Sequence, residues 1–375
     1  MATVEPAPPV ERAVVGEVRH IELRRLRVPL VSPFRAAHGA QSDRDVVLLA
    51  VRDADGVTGW GECVAMNAPT YTAEYADGAA HVIEHHLLPG ILSGRGPASI
   101  AGHQMAKAAV EMALLDLGLR RGGRSLTAEL GGHGGPIAVG AVVGLAPTID
   151  DLLAEVGRRV AEGYTRIKVK IRPGWDREPL TAVRAAHPSV ALWADANGDY
   201  AEADLARLCA LDDLGLGLIE QPFPDDDLML HAVLAETIDT PVCLDESISS
   251  SGALRTAIHL GALDVLNLKP GRVGGLREAV RMIGVCRDHG IPVWCGGMLE
   301  TGLGRAANLA LATVAGMTLP GDLSASSRYF HRDLTVPFEL GPGGTLVPPD
   351  GPGLGRAPDP DALAEFTTSV RTIAP

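Results

Sequence analysis

The stretch YTRIKVKIRPGWD, Tyr164–Asp176, sets Lys168 and Lys170 two residues apart between Ile167, Val169 and Ile171. In a strand, residues i and i+2 share a face, so two ammonium groups project from one side of a segment whose other side is apolar. Like charges this close are costly unless neighbouring groups make use of them. What surrounds them follows from the rhythm of the chain on either side.

From about residue 137, short apolar runs alternate with helical segments. The runs are IAVGAVVG (137–144), RIKVKI (166–171), ALWADANG (191–198), GLIEQPF (217–223), PVCLDES (241–247), VLNLKPG (265–271) and IPVWCGGMLE (291–300). Their Val, Ile and Leu content is that of buried parallel strands. Segments such as DDLLAEVGRRVAEG (150–163) and SGALRTAIHLGA (251–262) read as the helices between them. This alternation predicts βα units and an α/β fold, closed as a (β/α) barrel of TIM type more readily than left as an open sheet. Upstream, HIELRRLRVPL (20–30), DVVLLAVRDADG (45–56) and TGWGEC (58–63) read as strands. HQMAKAAVEMALLDLGLRR (103–121) carries its apolar residues at helical spacing. The expected organisation is a disordered tail at 1–15, an α+β capping domain at 16–136, a barrel at 137–325 and a Gly/Pro-rich segment at 326–375 that packs back on the capping domain.

The 375 residues are 46% hydrophobic and carry a net charge of −13, with acids spread along the chain. That balance argues against nucleic-acid or anionic-membrane partners. Five scattered cysteines without a CxxC pair fit a reduced cytoplasmic protein. No apolar run reaches transmembrane length, and the Pro-rich start lacks the basic and apolar regions of a signal peptide.

Each apolar run turns polar at its C-terminal end: Lys168/Lys170, Asp195/Asn197, Glu220/Gln221, Asp245/Glu246, Asn267/Lys269 and Glu300. In a (β/α)₈ barrel those ends form the active-site mouth. Asp195, Glu220, Asp245 and Lys269 follow one another at intervals of about one βα unit, so three acids are expected to converge. Three carboxylates in one pocket repel one another, and a hard divalent cation removes that cost. Oxygen-only ligation selects Mg²⁺, or Mn²⁺, over Zn²⁺; Asp195, Glu220 and Asp245 are the expected ligands. The plainer reading of a strand-end acid is a solvated helix cap, which suits one acid better than three at this interval.

Lys168 and Lys170 precede this set and Lys269 follows it, so the lysines should flank the metal on opposite sides. A nearby cation is expected to lower a lysine's pKa toward neutrality, making it a general base. The plainer reading is a snorkelling surface lysine, against the apolar setting of IKVKI and NLKPG. The chemistry implied is abstraction of a proton next to a carboxylate, with the metal stabilising charge where the enediolate develops.

These residues resemble the enolase superfamily in its muconate lactonizing enzyme-like subgroup. KVK, DANGDY, IEQP, CLDES and NLKPGRVGG match its elements in order. More narrowly, PFRAAHGAQSDRDVVLL, GWGECVAM, RIKVKIRPGWDREP and IPVWCGGMLETGLGRAANLALA look like the o-succinylbenzoate synthase / N-succinylamino acid racemase (N-acylamino acid racemase) family. The resemblance implies Mg²⁺ on Asp195, Glu220 and Asp245, acid/base roles for Lys170 and Lys269, and Lys168 as electrostatic neighbour. Asn197 and Glu246 become orienting groups. The segment Val31–Gly39 becomes a closing loop with Phe34 as an apolar wall, and Gly297, Met298 and Leu299 line the substrate's acyl arm. It further implies a small carboxylate substrate and a homo-oligomer. Racemisation and dehydration to o-succinylbenzoate in menaquinone biosynthesis share one enediolate. Dipeptide epimerase, cycloisomerase and a non-catalytic acid-binding barrel are the other readings. Val142 stands where family members often carry a hydroxyl, which bears on substrate preference.

Other motifs read as structure. His81-x-x-Glu84-His85 has the form of an inverted zinc-protease pattern but no third ligand in view, so it reads as a helix face. GGHGG (131–135) lacks the Lys-Ser/Thr of a phosphate loop. His259 reads as a helix-surface residue and Cys295 as a core thiol.

Overall fold

The computed structural model describes residues 17–36 and 39–373, with the side chains of residues 34–36, 39 and 40 left out. The expected tail at 1–15 lies outside the described residues. In chain order the strands are β1 (Val18–Ala36), β2 (Gly39–Asp53), β3 (Thr58–Cys63), β4 (Ile137–Ala138), β5 (Ala141–Val143), β6 (Arg166–Lys170) and β7 (Ala191–Asp195). There follow β8 (Ile219–Glu220), β9 (Val242–Leu244), β10 (Val265–Leu268), β11 (Val293–Cys295), β12 (Thr345–Leu346) and β13 (Thr367–Ile373).

Strands β5 to β11 form one parallel sheet in sequential order. Along β6 the pleat sorts the side chains. Ile167 and Val169 join the apolar layer under the helices, with Leu152, Val156, Leu180 and Val183, while Lys168 turns inward to lie 4.7 Å from the ring centre of Trp294. The sheet is strongly curled. Three strands separate β7 from β11, so a flat sheet would hold them roughly 19 Å apart at the usual strand spacing; yet the rings of Trp193 and Trp294 lie 5.3 Å apart. The gap between β11 and β5 is bridged by a short segment, with Asp322 N donating to Cys295 O at 2.9 Å and Gly140 N to Gly321 O at 2.8 Å. The result is a (β/α) barrel of TIM type in modified form. One expectation needs correcting at its edge. Ile137 and Ala138 leave the parallel sheet and pair antiparallel with β12, so the first barrel strand is only residues 141–143.

The second sheet is antiparallel, in the order β13-β1-β2-β3. Its last strand returns from the C-terminus, pairing Ile21 with Ile373 through Leu26 with Thr367. The segment 31–36 continues β1 rather than forming a loop, pairing Phe34 with Gln41. Helices α1 (Ala76–Val82) and α2 (Gln104–Arg121) cover this sheet, giving an α+β capping domain. Strand β3 approaches α2 closely enough that a Cβ at Gly61 would collide with the Ala109 carbonyl.

Between the barrel strands lie α3 (Ile149–Ala161), α4 (Arg177–Ala186), α5 (Leu228–Thr237), α6 (Ser251–Leu260) and α7 (Leu276–Asp288), followed by α8 (Gly302–Ala312) and, near the C-terminus, α9 (Pro360–Phe366). Side chains cap many of them: Thr148, Asp227 and Ser250 accept from the backbone N–H of Asp151, Leu230 and Ala253. The capping domain contributes two more caps across the interface. Glu62 accepts from Thr301 N and Gly304 N at 2.9 Å each, at the start of α8. Glu111 accepts from Leu276 N at 2.6 Å, at the start of α7. Anionic side chains on helix N-termini satisfy orphan N–H groups and oppose the helix dipole, so these seats hold the capping domain over the barrel.

Replacing Gly61 by Ala is expected to lower unfolding stability by about 1–3 kcal/mol through overpacking, read from the urea midpoint. Gly157→Ala, in α3, where the nearest atom to an added Cβ is His187 Nε2 at 4.0 Å, is expected to raise it by about 0.5–1 kcal/mol.

Candidate active site

The parallel register places charge at one level. Lys170 pairs with Asp195, and Asp195 with Glu220, on adjacent strands; Asp245 follows the end of β9. These groups sit at or beneath a cavity between barrel and capping domain. Lys168, Lys170, Asp195, Asn197, Lys269, Gly297, Met298 and Leu299 line it, along with Val142. Glu220 and Asp245 lie just below, 0% and 1% exposed.

The contacts are ionic and specific. Lys168 Nζ meets Asp195 Oδ2 at 2.9 Å and Asp322 Oδ2 at 2.7 Å, and also pairs with Glu220. Lys170 Nζ donates to Asp195 Oδ2 at 2.7 Å and Asn197 Oδ1 at 2.5 Å. Asn197 Nδ2 in turn donates to Glu246 Oε1 at 3.0 Å. On the other side, Lys269 Nζ donates to Asp245 Oδ2 at 2.7 Å and lies 3.1 Å from the Tyr71 hydroxyl, which donates to Asp245 Oδ1 at 2.9 Å. Arg272 also pairs with Asp245, and Asn267 Nδ2 donates to Glu220 Oε1 at 2.6 Å.

The acidic groups around the cavity act on two of the lysines. Burial by itself pulls the Lys168 ammonium down, but Asp195, Asp322 and Glu220 outweigh it and hold it above its ordinary value. Lys269 is likewise held up, burial being outweighed by Tyr71, Glu246 and Glu220. The reason is geometric: each ammonium faces carboxylates rather than a second cation. The acids divide. Burial and then Asp195 push the Glu220 carboxyl up to about 7. Asp195 is driven below its ordinary range, Lys168 and Lys170 overcoming its burial.

As placed, the carboxylates are engaged by the chain's own cations and amides. Among the described residues no three His, Cys, Asp or Glu side chains are gathered into a metal-binding group. The Phe34 side chain lies outside the described residues. Sequence reading placed Asn267 at a strand end without giving it a role, and passed over Tyr71, Arg272 and Asp322. Arg272 was within reach, three residues after Lys269 in NLKPGR. Tyr71, from the capping domain, and Asp322, in the bridging segment, carry no local signal.

Three non-glycine residues at strand ends adopt left-handed backbone: Asn197 (φ 46°), Gln221 (φ 39°) and Leu299 (φ 56°). Strain of this kind persists where the surrounding structure over-determines it. At Gln221 the reason is visible, since its Oε1 accepts from Asp245 N at 3.0 Å and Ser247 N at 3.3 Å. The other motifs fall outside the site. Glu84 pairs with Arg371 at 2.6 Å on the capping domain, His259 is exposed on α6, and Cys295 is a buried thiol held well above its ordinary pKa by burial.

The chain matches the family described as "Mandelate racemase / muconate lactonizing enzyme, N-terminal domain" over residues 20–131 and "Enolase C-terminal domain-like" over 151–362. An N-succinylamino acid racemase of Amycolatopsis sp is 52% identical over 359 residues, covering 93% of this chain and 97% of the relative. An o-succinylbenzoate synthase of Geobacillus kaustophilus is 45% identical over 359 residues, covering 93% and 96%. Among solved structures, an enolase superfamily member from Listeria innocua aligns with a TM-score of 0.91 at 36% identity, over 96% of this chain and 99% of that one. A dipeptide epimerase from Cytophaga hutchinsonii, complexed with Mg and the dipeptide D-Ala-L-Val, aligns with a TM-score of 0.86 at 25% identity, over 95% and 100%. The chain belongs to the mandelate racemase / muconate lactonizing enzyme family of the enolase superfamily. Enzymes of this superfamily act through an enediolate beside a divalent metal.

Asp322 is the counter-ion shared by Lys168 and Arg166. Asp322→Ala is expected to cost about 3–5 kcal/mol of stability, as removal of one partner strands buried charge. A urea midpoint unchanged from the parent would show that this aspartate is not needed to neutralise the barrel interior.

Proposed function

We propose that this chain catalyses Mg²⁺-dependent removal of a proton alpha to a carboxylate, and that it racemises N-acyl, in particular N-succinyl, amino acids. The observation that carries this is the placing of two buried ammonium groups, Lys170 and Lys269, in the wall of one cavity, each against a different carboxylate. The strands that supply them stand on opposite sides of Asp195, Glu220 and Asp245.

The donor set suits a hard divalent ion, with Mn²⁺ the alternative to Mg²⁺. Asp195, Glu220 and Asp245 offer only oxygen, and the raised Glu220 carboxyl reflects burial and then the nearby charge of Asp195, which such an ion would relieve. When bound, the ion supplies positive charge where the enediolate oxygens develop theirs. Lys170 takes the α-proton from one face and Lys269 delivers one to the other, or the reverse. One proton is lost and one gained, so only configuration changes. Each ammonium must first be released from its carboxylate and lose its proton to serve as base. Lys168, with Asp322 as its own counter-ion, stays charged and attracts the substrate carboxylate. Asn197, bridging to Glu246, orients Lys170. Gly297, Met298 and Leu299 border the acyl arm.

A second reading is favoured by the likeness to o-succinylbenzoate synthase. If the substrate carries a hydroxyl on the β-carbon, the lysine that took the α-proton returns it to that hydroxyl, which leaves as water as the enediolate collapses to a double bond, and Lys269 only holds charge. This is the dehydration that yields o-succinylbenzoate for menaquinone. In the proposed division at 16–136, 137–325 and 326–375, the first boundary is supported by the gap between the family matches, and the return of the last segment to the capping domain by the pairing of β13 with β1. Five free cysteines support a reducing, cytoplasmic setting, and homo-oligomerisation rests on the family resemblance.

In D₂O with Mg²⁺, the wild-type chain is expected to place deuterium at the α-carbon of N-succinyl amino acids, and to stop when EDTA is added. Mass spectrometry showing no exchange with the metal present would sink the proton-transfer reading. Lys170→Ala and Lys269→Ala should each lower the racemisation kcat by about 10²–10⁴-fold, while each variant still exchanges the proton of one enantiomer. If Lys269→Ala instead retained full dehydratase turnover, the second reading would take precedence.

A further inference from the structure

Among the described residues, Arg44 is the one cavity-lining arginine contributed by the capping domain. It lies in β2, beyond the reach of the resemblance-based site assignments, and its side chain is 1% exposed. A guanidinium has five N–H donors. Among the described residues this one donates a single hydrogen bond, from Nη2 to Val64 O at 3.1 Å, and its Nε is buried without a partner. Such a group is costly to leave unsatisfied.

Two buried carboxylates, Glu62 and Glu300, act on it electrostatically, yet both Glu62 oxygens and Oε1 of Glu300 are engaged elsewhere. Glu62 accepts from Thr301 N and Oγ1 and from Gly304 N. Glu300 Oε1 accepts from Met298 N and Asn308 Nδ2, both at 2.9 Å. Burial pulls the arginine below its ordinary pKa and the two glutamates oppose that pull, without using its directional donors. The guanidinium thus lines the cavity wall with donor capacity that the chain does not use, and Met298 and Leu299 line the same space.

We propose that Arg44 is the specificity-determining residue for the acyl arm, its guanidinium receiving a carboxylate at the far end of that arm. This rests on the N-acyl amino acid reading above and deepens it. A substrate with two carboxylates needs two separate cationic stations. Lys168, at the barrel floor, serves the carboxylate beside the reacting carbon, and Arg44, on the capping strand, serves the distal one. The substrate class is thus the monoamides of short dicarboxylic acids, in preference to acetyl or butyryl amides. Val142, apolar where it meets the cavity, offers no competing polar station.

The test compares N-succinyl and N-butyryl derivatives of the same amino acid, at equal Mg²⁺, with wild type, Arg44→Gln and Arg44→Lys. Two readouts are taken: kcat/KM for α-deuterium exchange, and Kd by calorimetry. Taking the succinyl-to-butyryl ratio within each variant cancels any general damage from disturbing Glu62 and Glu300. The ratio is expected to fall by about 10–100-fold in Arg44→Gln, the loss of a hydrogen-bonded charge pair, mostly through KM, with partial recovery in Arg44→Lys. A ratio unchanged in both variants overturns the proposal and leaves Arg44 as a counter-ion for the two glutamates. If wild type exchanges neither compound, the racemase reading fails separately, and the Kd ratio still decides whether Arg44 selects the distal carboxylate.

Discussion

Everything at the barrel mouth depends on the neutralisation of buried charge. Lys168 is 3% exposed and lies among Asp195, Glu220 and Asp322. Isolated charges of this kind would be prohibitive in a dry interior. Shared among alternating ammonium and carboxylate groups, they become tolerable, and removal of any one strands its neighbours. Parallel pairing achieves this because adjacent strands bring Lys170, Asp195 and Glu220 to the same level. The same pleat turns Ile167 and Val169 outward into the apolar layer. A functional cluster and a hydrophobic core are thus built from alternate residues of the same strand.

The floor of the barrel continues the pattern. Arg166 lies over the rings of Trp193 and Trp294, at 4.4 and 5.6 Å from their centres, and pairs with Asp322. Flat aromatic faces beneath cations offer an attraction that needs no further buried acid. The lysine side chains consequently rise from a rigid base. A site that moves protons at carbon depends on such fixed placement, since small misplacements of reacting groups are expensive.

The capping domain closes the other side of the cavity, and it is seated by electrostatics as well as by packing. Glu62 and Glu111 meet the N-termini of two barrel helices, and Tyr71 reaches from the cap to Lys269 and Asp245. The capping domain therefore both bounds the cavity and touches the charged groups of the barrel mouth. This division suits a family whose members share a reaction and differ in substrate.

Much of this was legible in the chain itself. The alternation of apolar runs with amphipathic segments determined the βα units, because strand burial on both faces demands continuous Val, Ile and Leu. The polar ends of those runs, recurring at about one βα unit, located Lys168, Lys170, Asp195, Glu220, Asp245 and Lys269 at one mouth. Tertiary structure alone decided the rest. Ile137 and Ala138 left the sheet because β12, some 200 residues away in sequence, offered pairing. Tyr71, Asp322 and Arg44 entered the site from distant segments whose local sequence carries no periodicity to mark them. The lysines' electrostatic state also depended on through-space distance to carboxylates, which no spacing along a chain encodes. Period and composition are local properties, whereas charge balance in a cavity is set by whatever the fold brings within a few ångströms.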